Sequence, residues 1–242
     1  MTEGWAAAEV AAAHVVVDDP LDESLVIVGD DGHHLQRVRR LRFGEALTAA
    51  DGKGRWRAYR ITEVGEGRLA LTATAEQRDE PVGVPPLAVA FALTKGGKPE
   101  TVVARLTELG VDRVLPVLAR RSVARWTADR AATALTRLRR VAREAAQQSR
   151  RARLPVIEPF GPLSALVGAP GLVVGDRGAP PAGSLPRPGP DGWLALIGPE
   201  GGLDPEELAA FDGAPRVGVG PHVLRAETAA VAVAAALAGL RH

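Results

Sequence analysis

The sequence predicts an α/β chain in two parts: a small β-barrel over residues 1–80, then a helix-flanked, mostly parallel sheet over residues 85–242. Three observations carry this. RWRAYRITEV (55–64) and RLALTATAEQ (68–77) alternate apolar and polar side chains, the period-2 signature of half-buried strands. EPVGVPP at 80–86 holds three prolines and a glycine in seven residues and reads as a linker. Beyond it, continuous apolar runs alternate with amphipathic stretches, as strands covered on both faces alternate with their crossover helices.

In the first part, VVV (15–17) and LVIV (25–28) are short branched runs that predict strands, and Asp51-Gly52 and Gly65-Glu66-Gly67 are turn signals. One helix interrupts them. Asp30 and Asp31 are N-cap candidates, and Leu35, Val38 and Leu41 follow at helical spacing. In the second part, LAVAFAL (87–93) is a buried strand. PETVVARLTELG (99–110) is a helix with Pro99 in its first turn and Gly110 at its end. VDRVLPVLA (111–119) is the next strand. The stretch 127–151 is a long helix with Ala134, Leu135, Leu138, Val141, Ala142 and Ala145 on one stripe and arginines on the other. LVVGD (172–176), WLALIG (193–198) and RVGVG are further strands, PEELAAF (205–211) is a short helix, and AETAAVAVAAALAGL is a closing helix, apolar nearly all round. GAPPAGSLPRPGPDG (178–192) is a loop.

Composition excludes several function classes. There is no cysteine, so disulfides, thiolate metal sites and cysteine nucleophiles are absent. The histidines, at 14, 33, 34, 222 and 242, show no zinc spacing, and no metal is expected. The N-terminus lacks a basic n-region and carries Glu3 and Glu9, which predicts a cytoplasmic protein. The apolar run Ala229–Leu240 falls short of the roughly 20 residues a bilayer span needs, so no membrane partner is expected. Net charge is only +1, but its distribution is uneven. Eleven arginines stand against Asp129 and Glu144 between Arg120 and Arg153, and seven arginines with Lys53 stand against Glu45 and Asp51 between His33 and Arg60. Two basic patches on a near-neutral chain point to a polyanionic partner; a solvated helix face is the competing explanation.

Two stretches carry chemistry. In LIGPEGGLDPEEL (196–208) a buried strand ends in Gly-Pro-Glu-Gly-Gly and feeds a helix capped by Asp204, with Pro205 at its first position. Glycines there let backbone amides approach a ligand at the carboxyl edge of a sheet, though spacing alone also fits a plain tight turn. The glycines do not follow G-x-G-x-x-G, and GGKPE (96–100) is not a phosphate loop of the Walker type. In GVGPHVLRAETAAVAVAAAL (218–237) another strand ends in Gly-Pro, and Arg225 and Glu227 precede a strongly apolar helix. They form either a charge pair at a helix start, Glu227 favouring its positive end, or a site in which Arg225 holds an anion.

IGPEGGLDPEE, followed about 20 residues later by GVGPHVLRAETA, resembles the signature of the RsmE family, bacterial 16S ribosomal RNA methyltransferases that modify N3 of a uridine. HHLQRVRRLRFGE (33–45), LTKGGKPETVVARLTELGVDRVLPV (93–117), RRSV (120–123) and REAAQQSRRARLP (143–155) resemble further motifs of that family, in the same order, and the likeness spans residues 14–240. Arg105 stands where the family has lysine, Gly218-Val219-Gly220 replaces Ser-Leu-Gly, and Asp176 replaces a glutamate.

The resemblance implies a PUA-like or OB-like β-barrel that binds RNA, followed by a SPOUT domain with a trefoil knot near its C-terminus. It implies S-adenosyl-L-methionine (SAM) held by three loops: Val174, Gly175 and Asp176; Ile197, Gly198, Pro199, Glu200 and Gly201; Val219, Gly220, Pro221 and Leu224. It further implies a homodimer acting on 16S rRNA within the 30S subunit. Arg225 and Glu227 are the expected catalytic pair, and Arg37, Arg39, Arg40, Arg121, Arg139, Arg143, Arg150 and Arg151 the expected RNA contacts. The alternatives are another RNA target, such as a ribose 2′-hydroxyl, and a non-catalytic RNA-binding assembly protein.

Overall fold

The structure, a computed structural model, describes residues 11–37, 39–93, 98–121 and 128–241. The chain divides into two compact units, Met1–Pro81 with Ala146–Leu154, and Val82–Ala145 with Pro155–His242. No helix among the described residues is long and apolar enough to cross a membrane.

The first unit contains β1 (Ala13–Val16), β2 (Ser24–Ile27), α1 (Gly29–Arg37), β3 (Ala46–Ala50), β4 (Arg55–Gly65), β5 (Arg68–Ala73) and β6 (Arg78–Asp79). The strand order is β1-β3-β4-β5-β2, with β6 on β4, and every pairing except β1 with β3 is antiparallel. Alternate residues supply the core: Leu25 and Ile27, Leu47 and Ala49, Tyr59 and Ile61, Leu69 and Leu71. The sequence reading passed over β3, because ALTAA is buried along nearly its whole length and shows no polar alternation. Helix α1 ends at Arg37, and Asp30 and Asp31 lie within its first turn instead of capping it. Leu41 is buried from the loop beyond, where its N–H donates to the Leu35 carbonyl at 3.1 Å. Val38, the other expected helical residue, lies outside the described residues.

Residues 146–154 belong to this first unit. The Gly54 N–H donates to the Ala152 carbonyl at 3.1 Å, and the Leu154 N–H to the Gly52 carbonyl at 2.8 Å. Beneath them His14 is buried and shares a 2.7 Å hydrogen bond with Thr48. Burial is the main cause that lowers its pKa to about 4, because the charged imidazolium loses its hydration; Arg150 adds repulsion. Burial also raises the pKa of Glu80, partly offset by Arg151 and Arg153.

The second unit contains β7 (Leu87–Ala92), α2 (Pro99–Glu108), β8 (Arg113–Leu118), most of α3 (Ala128–Ser149), β9 (Val156–Ile157), β10 (Gly161–Pro162), β11 (Leu172–Gly175), β12 (Trp193–Ile197), α4 (Pro205–Ala209), β13 (Arg216–Val217) and α5 (Ala226–Ala238). All its strand pairings are parallel, in the order β10-β8-β7-β12-β11-β13, with β9 also on β8. Both faces are covered. Val89, Phe91, Ala195 and Ile197 pack with Val102, Leu106, Leu138, Val233 and Leu237 on one face. Ala88, Ala90, Leu194 and Leu196 pack with Leu163 and Phe211 on the other. Double coverage is why these strands read as unbroken apolar runs. Helix α5 packs against α2, β7 and β12, which buries Ala230, Val233, Ala234 and Leu237.

Candidate active site

Strands β12, β11 and β13 are neighbours and parallel, so their carboxyl ends leave the sheet at one edge. Val174 is in register with Leu196 on one side and Arg216 on the other, and Gly175 with Val217. The loops that follow enclose a cavity of about 330 Å³. Of the expected cofactor residues, Val174, Gly175, Asp176, Ile197, Gly198, Pro199, Glu200, Val219, Gly220 and Leu224 line it, while Gly201 and Pro221 do not. Sequence reading missed Leu203, Leu208, Arg216, Val217, His222, Val223, Ala229 and Val233, which also line it. The signal for Ala229 and Val233 was the small-residue face of α5; His222 and Val223 lay inside the recognised loop.

Glycine is favoured at Gly220, whose φ of 148° other residues rarely adopt, and a Cβ at Gly175 would sit 2.6 Å from Ile197 Cδ1, which would have to shift. The GPEGG loop is fixed at its far end by α4, where Asp204 caps Glu206 at 3.1 Å and Glu207 returns the bond to the Asp204 N–H at 3.0 Å. The walls are apolar, and Asp176, Arg177, Glu200, Arg216 and His222 add charge or hydrogen-bonding capacity. A cavity of this kind fits a ligand with an apolar ring system and several polar substituents.

Arg225 is the N-cap residue of α5, extended at φ −63° and ψ 151°, and exposed. Glu227 lies in the first turn of the same helix and is half-buried. Its Oε1 accepts the Lys98 N–H at 3.3 Å, at the start of α2, whereas its Oε2 is buried with no hydrogen-bond partner among the described residues. One carboxylate oxygen thus retains its capacity to accept a hydrogen bond.

The expected RNA-binding arginines separate into distinct settings. Arg37, Arg39 and Arg40 are exposed at and beyond the end of α1. Arg121 is exposed, and its guanidinium donates to the Gly201 carbonyl at 2.7 Å, on the GPEGG loop. Its neighbour Arg120 pairs with Glu206 and Asp204 and donates its N–H to Glu207 at 2.7 Å. Arg139 is exposed and Arg143 half-buried, one turn apart on α3. Two residues do not fit the expected track. Helix α3 ends at Ser149, and Arg150, at φ 59°, turns away and donates to the Ala11 carbonyl at 2.6 Å. Arg151 is only 7% exposed, in the setting that includes Glu80, and so is withdrawn from any phosphate at the surface. Arg105 pairs with Glu108 on the outer face of α2 at 2.7 Å. The motif residues at 94–97, 122 and 123 lie outside the described residues.

Comparison with known proteins decides the family. A model of the RNA methyltransferase domain matches residues 82–238, and one of the RNA methyltransferase PUA domain matches residues 27–73. The ribosomal RNA small subunit methyltransferase E of Mycobacterium tuberculosis is 38% identical over 224 residues, covering 85% of this chain and 82% of its own length. This chain belongs to the RsmE family. The Bacillus subtilis member is 29% identical, covering 84% of this chain and 85% of its own. The crystal structure of the Neisseria gonorrhoeae RsmE bound to S-adenosyl methionine superposes with a TM-score of 0.83 at 25% identity, over 94% of this chain and 97% of that one. An RsmE chain is therefore the frame in which the cleft of β11, β12 and β13 is to be read.

Proposed function

We propose that this chain transfers a methyl group from SAM to N3 of a uridine in 16S rRNA. The observation that carries the reading is the convergence of three strand-end loops on one glycine-walled cavity, with Arg225 and Glu227 at the start of the helix that follows it. The relatives named ribosomal RNA small subunit methyltransferase E, and the SAM-bound structure of one of them, support the substrate and the cofactor. The uridine and its N3 rest on the family resemblance.

The residues suit the group. The cavity's apolar walls match an adenine and a thioether, and Asp176 and Glu200 offer acceptors to hydroxyl and ammonium groups. SAM, once bound, supplies an electrophilic methyl on sulfur. The rest is the chain's task. Uridine N3 carries a proton and is a poor nucleophile, so the proton must leave as the N–C bond forms and the S–C bond breaks. Arg225 stabilises the negative charge spread over O2, N3 and O4. Glu227 accepts the N3 proton directly or through a water.

The same reading makes the N-terminal unit the RNA-binding part, the 30S subunit the substrate and the cytoplasm the place of action. It includes a C-terminal trefoil knot and a homodimer. Exposed apolar side chains near the cleft, Leu208, Val219 and Val223, support a second copy there, since lone exposure of several in one rim is unfavourable. Helices α2 and α5 give weaker support, because much of their apolar surface packs on each other and on the sheet.

The test is methylation of 30S subunits and of naked 16S rRNA from a strain lacking the modification, followed by mass mapping of nucleosides. The expected product is 3-methyluridine at one position. A 2′-O-methylated nucleoside, or no methylation, overturns the reading.

A further inference from the structure

The loop between α1 and β3 carries a feature that the cleft does not use. Phe43 is 73% exposed, more than any other large apolar residue among those described. A single exposed apolar side chain is ordinary, but the setting of this one is built. The loop is pinned around it. Leu41 is buried, the Arg42 N–H donates to Glu45 Oε2 at 2.8 Å, and the Glu45 N–H donates back to the Arg42 carbonyl at 3.2 Å. Gly44, at φ 83°, donates to the Ile61 carbonyl at 2.9 Å. Arg40 holds a left-handed φ of 55°, a conformation that strains a non-glycine residue and concentrates at functional sites. The ring therefore projects from a turn that has little freedom to fold it away.

Cations flank the ring's residue along the chain. Arg40 and Arg42 flank it in sequence and are exposed, and Arg37 and Arg39 precede them. From β4, the Arg60 guanidinium donates to the Gly44 carbonyl at 2.7 Å, beside the ring's own residue. The one acid of the loop, Glu45, is turned back onto the Arg42 N–H. An exposed aromatic face beside exposed guanidinium groups recognises a planar base next to phosphates. It suits a base that is already out of its stack, since a paired base offers no free face.

We propose that Phe43 is a stacking platform for one unpaired base of the RNA substrate, with Arg40, Arg42 and Arg60 on the phosphates either side of it. The first unit would thereby select a loop or bulge over a continuous duplex. This rests on the reading of the chain as an RNA-modifying enzyme, but it concerns binding and is separable from catalysis.

The experiment uses the full chain and two fluorescent probes, a 16S rRNA stem-loop and a blunt RNA duplex of equal length, followed by anisotropy across a salt series. Phe43→Leu should weaken stem-loop binding about tenfold, with the salt dependence unchanged because no charge is lost. Phe43→Tyr should bind as wild type. Arg42→Ala should flatten the salt slope by about 0.7, the contribution of one single-strand phosphate. Unchanged SAM affinity in each variant reports an intact second unit, and an unchanged far-ultraviolet spectrum an intact fold. Equal stem-loop binding by Phe43→Leu and wild type overturns the proposal, as does an equal loss on stem-loop and duplex. A loss seen only with 30S subunits and not with naked RNA also overturns it and makes the ring a protein contact. If wild type binds through Phe43 but methylates no RNA, the catalytic reading falls and the platform stands.

Discussion

Arg241 and Asp112 form an ion pair at 2.6 Å that ties the end of the second unit to the turn preceding β8. The same carboxylate oxygen accepts the Leu87 N–H at 2.9 Å, and the guanidinium also donates to the carbonyls of Gly110 and Gly83, each at 2.7 Å. The Arg241 side chain is 9% exposed, so its charge is compensated locally or not at all. Asp112→Asn should leave that charge unmatched and cost about 3 kcal/mol, a melting-temperature drop of roughly 5–10 °C. Arg241→Ala should cost a similar amount, and Arg241→Lys less. A drop under 1 °C by calorimetry for Asp112→Asn would make the pair ornamental.

Arg225→Ala should lower the single-turnover methylation rate on 30S subunits, at saturating SAM, by about 10² or more, as removal of a charge-stabilising donor does. Glu227→Gln should lose less, because the RNA or solvent can accept the proton. The opposite ranking would move the main electrostatic burden to Glu227.

Arg121 is expected at RNA, and its bond to the Gly201 carbonyl gives it a further expected role in positioning the GPEGG loop. Arg121→Ala should raise the SAM dissociation constant about three- to tenfold, the worth of one exposed hydrogen bond from a charged group. Titration calorimetry would show it, and a flatter salt slope of RNA binding would show the contact with RNA. A changed slope with normal SAM affinity would leave Arg121 to the RNA alone.

The remaining arginines should divide by burial. Arg139→Ala with Arg143→Ala should weaken RNA binding and flatten its salt dependence at little cost in stability. Arg151→Ala should do the reverse, since it removes a buried cation from the setting of Glu80. Urea unfolding beside filter binding separates the two behaviours.

His14 should make the first unit acid-sensitive. Its folded pKa of about 4 lies below the ordinary 6.5, so the unfolded chain binds the proton first as pH falls. Stability from this residue is complete above pH 6.5 and is lost between 6.5 and 4, by about 2 kcal/mol at pH 5. Glu80, raised by burial, works in the opposite sense, its share declining as pH rises through its folded value. His14→Gln should flatten the loss in urea unfolding between pH 7 and 5; an unchanged profile would assign the acid sensitivity elsewhere.

Much of this was legible in the sequence, for identifiable reasons. Strands β7, β11 and β12 are buried on both faces and announced themselves as apolar runs, and the carboxyl ends of β11 and β12 carried glycines that line the cleft. Strand β3 was silent because burial along nearly its whole length erased the alternation that marks a half-buried strand. The arginines of 139–151 looked equivalent because helical spacing was extended past Ser149. Only the backbone turn at Arg150 separates it from the helix track and leaves Arg151 buried. Phe43 was passed over because one aromatic in a basic run has no period to betray it.

The segment Ala146–Leu154 sets the order in which the protein can mature as it is made. The N-terminal unit has all its own strands once Asp79 has been synthesised, yet Gly52, Gly54 and Ala11 find their partners only in residues translated some seventy positions later. Until that stretch leaves the ribosome, His14 lacks its neighbours Arg150 and Arg151, and Glu80 lacks Arg151, Ala152 and Arg153. The nascent first unit must therefore wait, incomplete, while the early strands and helices of the second are already emerging, and neither half is a finished module when the ribosome passes the linker.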